Sequence, residues 1–427
     1  MAALAGCSAL RERIEGDDPT LAFDPAVLAD LGDRPSPTPP TAFPVAVPSA
    51  WFERHRTRTR ELLDAVPERP DLPNGAMAAE LRSNRQHAVE AIEEEDNDPL
   101  RGDRDRLDRW RYRRSRAAEV RGAYRAATGA LDDATFTARR EALSADVAAF
   151  TADWDYRGPA PVEAFVVHAE LEELVDEMRA GTRGWPPFPT DPTDAVFRAG
   201  ELVATTERSR AALEDASALR DRLLADAASV PSHRGTLARA AHRLERDLRA
   251  TTRRHDAFRN HDDRDDPPFD RAIADTPAAE LYRRVRPRED PVRGVERALD
   301  RGHLAAAIRR AGIELIGLEL LDTAAAAIRD GRYDPPETAD RVRRERDRAV
   351  ANLRFAWNQP PAAVSRALAT PALNALGTIR HVIDRGSLGR HEAFDLYAGY
   401  GYVRHYAALV PAATDHVHGV LEAVDRS

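Results

Sequence analysis

Lysine is absent from this chain of 427 residues, so all 63 basic side chains are arginine. Arginine is planar and weakly hydrated, with five N–H donors in a rigid fork, whereas a lysine head is a compact point charge on a flexible stem. GC-rich coding favours arginine, and a surface adapted to multimolar salt keeps an excess of carboxylates and avoids long apolar stems. The net charge of −9 fits that setting. It also argues against a nucleic-acid binder, in which a basic face is expected. One cysteine, Cys7, excludes an intramolecular disulfide and any cysteine-built metal cluster. Aromatics reach only 6% beside 32% charged residues, which describes thin apolar stripes on long polar elements more than a dense core.

No long hydrophobic run offers a membrane span. The most apolar stretch, Ala311 to Ile328, carries Glu314, Glu319 and Asp322 and reads as a buried helix. Strand signals are few, and the grammar beyond Ser49 is helical, with Pro, Asp, Ser or Thr at starts and Gly at stops. Thr276 before Pro277 and Thr370 before Pro371 read as helix starts, while Gly331 and Gly386 read as stops. Leu237, Ala241, Leu244, Leu248, Thr251, His255 and Phe258 form a seam at spacings of four and three. Leu202, Leu213, Ala216, Leu223 and Val230 form another. The break at Pro231, Ser232 and Gly235 predicts an antiparallel hairpin between these two helices. The expectation is an all-α protein, one or more antiparallel bundles of about ten to twelve helices, several of them roughly 30 Å long or more.

Three regions follow: 1–48, a proline-rich N-terminal part; 49–186, an N-terminal helical part; and 187–427, a C-terminal helical part that could be continuous with the second. Pro35, Pro37, Pro39, Pro40, Pro44 and Pro48 favour an extended tether from Arg34 to Pro48, with an N-terminal arm packed on the body as the alternative, and Pro186, Pro187, Pro189 and Pro192 mark the internal boundary. The N-terminal string Leu4, Ala5, Gly6, Cys7 resembles the lipobox of exported lipoproteins of halophilic archaea. The resemblance covers about seven residues. It implies lipid attachment at Cys7, a leader upstream of the box with Met1 as an internal start, and a body held at the cell exterior with the membrane as partner. The alternative is a cytoplasmic protein that starts at Met1.

Four other signals invite chemistry. His261, Asp262, Asp263, Arg264, Asp265 and Asp266 contain a DDxxD spacing that resembles the magnesium-diphosphate motif of all-α prenyltransferases, but the run leads into Pro267 and Pro268 instead of continuing a helix. His255 with Asp256 suggests a His-Asp phosphohydrolase, but His255 falls on the apolar seam, where a hydrogen-bonded core histidine is expected. Neither the Glu-x-x-His pairs of di-iron bundles nor HEXXH occurs, so no metal or cofactor is expected. Arg101 to Arg125 interleaves ten arginines with Trp110, Tyr112 and Tyr124, and the acidic run from Glu93 to Asp98 is the expected partner of those charges on a solvated helix. Near the C-terminus Tyr397, Tyr400, His405 and Tyr406 stand beside His391, Tyr402, Gly399 and Gly401 as the best pocket candidate, against ordinary packing of one helical face.

The leading expectation is a non-enzymatic, lipid-anchored scaffold or binding protein with a protein or small-ligand partner. The rival is an all-α enzyme or metal-binding protein whose site is assembled from dispersed residues. With 72 acidic side chains, the folded state should lose stability on transfer from molar salt to dilute buffer, as carboxylate repulsion becomes unscreened. Thermal melts followed by circular dichroism test this: an equal midpoint in both buffers counts against salt adaptation.

Overall fold

The computed structural model describes residues 30–31, 34, 37, 46–93, 102–152, 154–184, 186–224, 230–255, 269–270, 272–287, 289–384 and 390–426. Over these residues the chain forms thirteen α-helices and no strand. They are α1 (Ser49–Asp64), α2 (Gly75–Glu93), α3 (Asp103–Ala127), α4 (Asp133–Ala152), α5 (Pro161–Thr182), α6 (Val196–Leu224), α7 (Arg234–Arg254), α8 (Pro277–Val285), α9 (Pro291–Asp300), α10 (Leu304–Arg329), α11 (Ala339–Trp357), α12 (Ala362–Asp384) and α13 (Arg390–Asp425). The all-α reading stands, with one helix more than the range expected.

Two groups of helices emerge from the packing. In the first, α3 and α6 make the most extensive contact, flanked by α1, α2, α4 and α5. Small residues set their separation: a Cβ on Gly200 would lie 2.7 Å from the Glu119 carbonyl, and one on Gly122 would lie 2.8 Å from Val203 Cβ. In the second group α13, the longest helix at 36 residues, packs on α11, α12, α8 and α10, and α7 lies against α10. The seam on α7 is buried at Leu237, Ala241, Leu244, Leu248 and Thr251, and His255 bonds the Thr251 carbonyl and Asp322. Gly331 closes α10 at a φ of +71°, the left-handed turn that glycine adopts without cost.

α5 belongs to both groups. It gives Val167, Leu171, Leu174, Val175 and Met178 to the first core, and Phe165, Val166 and Ala169 to the second. A helix apolar on two faces must be covered on both, and this one forms the wall between them.

Three local expectations need correction. α6 and α7 do not pack as a hairpin: α6 stays with α3 and α5, whereas α7 joins α10 and α13. The connection between them carries the chain from one group to the other, held by an isolated antiparallel bridge between Arg157 and Ser232 and by a bond from the His233 amide to the Tyr156 carbonyl (2.8 Å). Thr370 does not start a helix, because α12 runs through Pro371. A proline there removes one backbone donor and disturbs the preceding turn, and Tyr406 on α13 donates to the Leu368 carbonyl at 3.0 Å. Finally, the segment read as a tether starts in contact with the body, as the packed-arm alternative expects: Arg34 bonds Asp347 of α11, and Leu31 just before it is buried in the second core. Cys7, Gly386 and the acidic loop from Asn260 to Pro268 lie outside the described residues.

One buried carboxylate fastens the two groups together. Glu172 of α5 accepts from the Ala305 amide (3.2 Å), the Ala306 amide (2.5 Å) and the Tyr156 hydroxyl (2.5 Å), and so supplies the cap that His303 does not give the N-terminus of α10. Burial pushes this carboxyl up to about 7, against the pull of those hydrogen bonds. The folded state therefore holds a proton that the unfolded chain has released between about pH 4.5 and 7, so the stability Glu172 confers falls as pH rises through that window. Glu172→Gln, which cannot titrate, should flatten this part of the profile in urea melts. Glu172→Ala should cost about 1–3 kcal/mol below that window by orphaning the helix amides, and less above it. A profile that Glu172→Gln leaves unchanged would contradict this assignment.

Candidate functional site

The tyrosine-rich segment is tied into its surroundings by hydrogen bonds and ring contacts, and of its candidates only Tyr400 lines one of the two voids described. Tyr397 donates to the Arg332 carbonyl (3.0 Å) and accepts from Arg341 Nε (3.1 Å). Tyr397 and His405 flank the buried Tyr333, with ring centroids 5.4 and 5.9 Å away. Tyr333 donates to Glu345 and accepts from Arg404. Burial and the neighbouring Arg404 lower His405 to about 3, so it is neutral and accepts a bond from Arg404. Tyr400 faces away, toward a void of only about 20 Å³ beside Leu31, Pro37 and Val350. Tyr406 is committed to the Leu368 carbonyl. Gly401 admits the Tyr333 ring rather than a ligand, since a Cβ there would lie 2.5 Å from that ring. Nothing is described of the His391 side chain.

The larger cavity, about 270 Å³, lies where α3, α5 and α6 meet α12. Arg104, Asp105, Leu107, Asp108 and Arg111 of α3 line it, with Glu170, Glu173, Leu174 and Glu177 of α5, Asp215 of α6, and Thr370 and Asn374 of α12. The spacings explain this. Residues 104, 108 and 111 recur at four and three on α3, and 170, 173 and 177 at three and four on α5, so each set lies along one face of its helix.

These side chains form two rings of alternating charge. In the first, Arg104 Nε lies 2.8 Å from Glu170 while its Nη2 bonds Glu173, and Arg309 of α10 grips the same two carboxylates from the other side, Glu170 at 2.9 Å. In the second, Arg111 and Arg208 share Asp108 (3.2 and 2.8 Å) and Glu177 (3.2 and 2.5 Å). Arg111 also reaches Asp215 at 3.0 Å, where His55 Nε2 (2.9 Å) and Arg54 (3.1 Å) converge on the other oxygen. Beyond lies a third set, Arg114 and Arg58 on Glu207, with Arg114 also on Glu214.

Burial alone would raise Asp215, but the His55 hydrogen bond and the charge of Arg111 hold it below the usual carboxylate range. Burial dominates at Glu170 and pushes that carboxyl up in spite of Arg104 and Arg111. For Arg111 burial is outweighed by Glu177, Asp215 and Asp108, which keep the guanidinium charged. Each guanidinium meets two or more carboxylates through separate N–H groups, which the planar fork permits.

Over residues 103–125 the helix is accordingly largely withdrawn from water, and Arg104, Arg111 and Arg114 find carboxylates on α5 and α6. Arg111, Arg113 and Arg114 are buried, as is Trp110, with Arg113 stacked over its ring at 4.8 Å; Tyr112 is exposed. Glu94 to Asp98 lie outside the described residues.

The wall contains no Ser, Cys, His or Tyr; its reactive groups are the Thr370 hydroxyl, which donates to the Arg366 carbonyl, and carboxylates of which Glu170, Glu173, Glu177 and Asp215 are held by arginine. Among the described residues no group of three or more His, Cys, Asp or Glu side chains is placed to hold a metal ion. What the arrangement offers is an array of fixed charges with two leucines between them.

Residues 50–229 are similar to a family described as a domain of unknown function, DUF8262, and residues 234–419 to a second, DUF8264. The two matches meet at the connection between α6 and α7, where the chain passes from the first group of helices to the second. No curated protein and no solved structure matches the chain.

Proposed function

We propose that this protein is a binding protein of the cell exterior, anchored through lipid on Cys7, that receives a small polar ligand in the cavity between α3, α5, α6 and α12. The cavity carries the reading. It is the larger of the two voids described, it draws its wall from both groups of helices, and its charged groups are already paired. Groups held this way recognise a ligand; a reaction would call for an unspent base or nucleophile. The anchor rests on the lipobox and on Cys7 as the one thiol of the chain. Among the described residues no helix is long and apolar enough to cross a membrane, so lipid is the attachment the sequence offers.

Expression of the full-length gene in a halophilic host, followed by fractionation and native mass spectrometry, tests both parts. Wild type is expected with the membranes, and Cys7→Ser in the soluble fraction or with its leader uncleaved. Serine-variant protein that stays on the membrane with its leader removed contradicts the anchor. A solubilised protein that carries no small-molecule adduct, and takes up none from a mixed pool of charged metabolites, contradicts the binding role.

A further inference from the structure

The cavity wall is asymmetric in a way the ion-pair rings conceal. The side chains that face the void carry six carboxylates, on Asp105, Asp108, Glu170, Glu173, Glu177 and Asp215, against two guanidiniums, on Arg104 and Arg111. The compensating cations Arg54, Arg208 and Arg309 stand behind this wall and not on it. A guest therefore meets carboxylate oxygen first.

Hydrogen-bond capacity points the same way. A carboxylate offers about four lone-pair sites. Glu170, Glu173 and Glu177 each spend one contact per oxygen on arginine, which leaves a further lone pair on each oxygen for an incoming N–H. Arg111 donates Nη1 to Asp215 and Nη2 to Asp108, with its buried Nε 3.2 Å from Glu177 but not hydrogen-bonded to it, and Arg104 directs Nε and Nη2 at two carboxylates. An anion could reach the Arg111 Nε and the Arg104 Nη1 only past the six carboxylates of the wall, whose charge opposes its entry. A cation would add to the rings without breaking one.

We propose that the ligand of this cavity is a small organic cation, an ammonium or guanidinium group on a short apolar stem. The claim rests on the binding role proposed above and names its ligand class. The charged end lies among the carboxylates of α3 and α5, and the stem lies along Leu107 and Leu174, the two apolar residues of the wall. Thr370 and the exposed Asn374 mark the mouth on α12. Thr370 donates to the Arg366 carbonyl, so its hydroxyl oxygen still has acceptor capacity for a second nitrogen. At roughly 30 Å³ per water, the volume equals about nine waters, enough for a short diamine or an aminoalkyl guanidine.

Agmatine, which carries both head groups on a four-carbon stem, serves as the cationic probe, and glutarate as an anion of comparable length. Isothermal titration of the full chain at one fixed salt concentration is run on wild type and on Asn374→Trp. That substitution fills the mouth from an exposed position outside the rings. The expected result is agmatine binding by wild type, a loss of at least tenfold in affinity in Asn374→Trp at an unchanged melting midpoint, and no glutarate binding. Equal agmatine affinity in both proteins overturns the cavity as the site. Glutarate binding blocked by Asn374→Trp, without agmatine binding, overturns the cationic class and leaves the binding role standing. Failure of both probes overturns the cationic ligand and counts against the binding role with it.

Discussion

The structure depends on one recurring interaction, a pair of carboxylates gripped by two guanidiniums from different helices. Arg104 and Arg309 clamp Glu170 and Glu173; Arg111 and Arg208 clamp Asp108 and Glu177. The first ring spans α3, α5 and α10, and thereby ties the two groups of helices to each other. Exposed ion pairs contribute little, since screening and side-chain entropy consume the gain. These pairs differ in that Arg111, Arg114, Arg309, Glu170 and Glu207 are largely withdrawn from water. Withdrawal carries a cost in desolvation, which only complete pairing offsets, and breaking one member leaves a buried charge uncompensated.

The absence of lysine takes on a structural meaning in this light. An ammonium head is a point charge, while the guanidinium presents Nε, Nη1 and Nη2 in a plane and can address partners in different directions, as Arg111 does with Asp215 through Nη1 and Asp108 through Nη2. The rings explain why arginine is needed inside. Charge also does the work that apolar residues do elsewhere: with few aromatics available, α3 buries Arg111, Arg113 and Arg114 beside Trp110 and a series of alanines.

Much of the fold was legible in the sequence, because helical seams leave a periodic signature. The α7 seam from Leu237 to Thr251 and the buried stretch on α10 appear as read, while Phe258 lies outside the described residues. Partners were less legible than elements. Turn chemistry at Pro231 suggested a hairpin, but nothing in the local pattern records that α5 rather than α6 continues beneath α7. The Thr370–Pro371 pair looked like a helix start because an interior proline is costly, and the packing that tolerates it, including the bond from Tyr406, is distant in sequence. The cavity was missed for a related reason. Its signal is the match between an Arg-Asp-Arg face on α3 and a Glu-Glu-Glu face on α5, two patterns ordinary in themselves that carry meaning only once the helices are known to touch. The clustered tyrosines drew attention for their rarity, whereas they fill core positions or bond backbone carbonyls.

The account stands or falls on whether the rings bind the helices together or merely decorate a fold held by its apolar seams. A double-mutant cycle on Arg309→Met and Glu170→Gln, read by urea denaturation in dilute and in molar salt, decides this. A coupling energy above about 1.5 kcal/mol that survives molar salt is predicted for a withdrawn, multiply bonded pair. A coupling below about 0.5 kcal/mol, or one abolished by salt, is the behaviour of an exposed pair and would contradict the account.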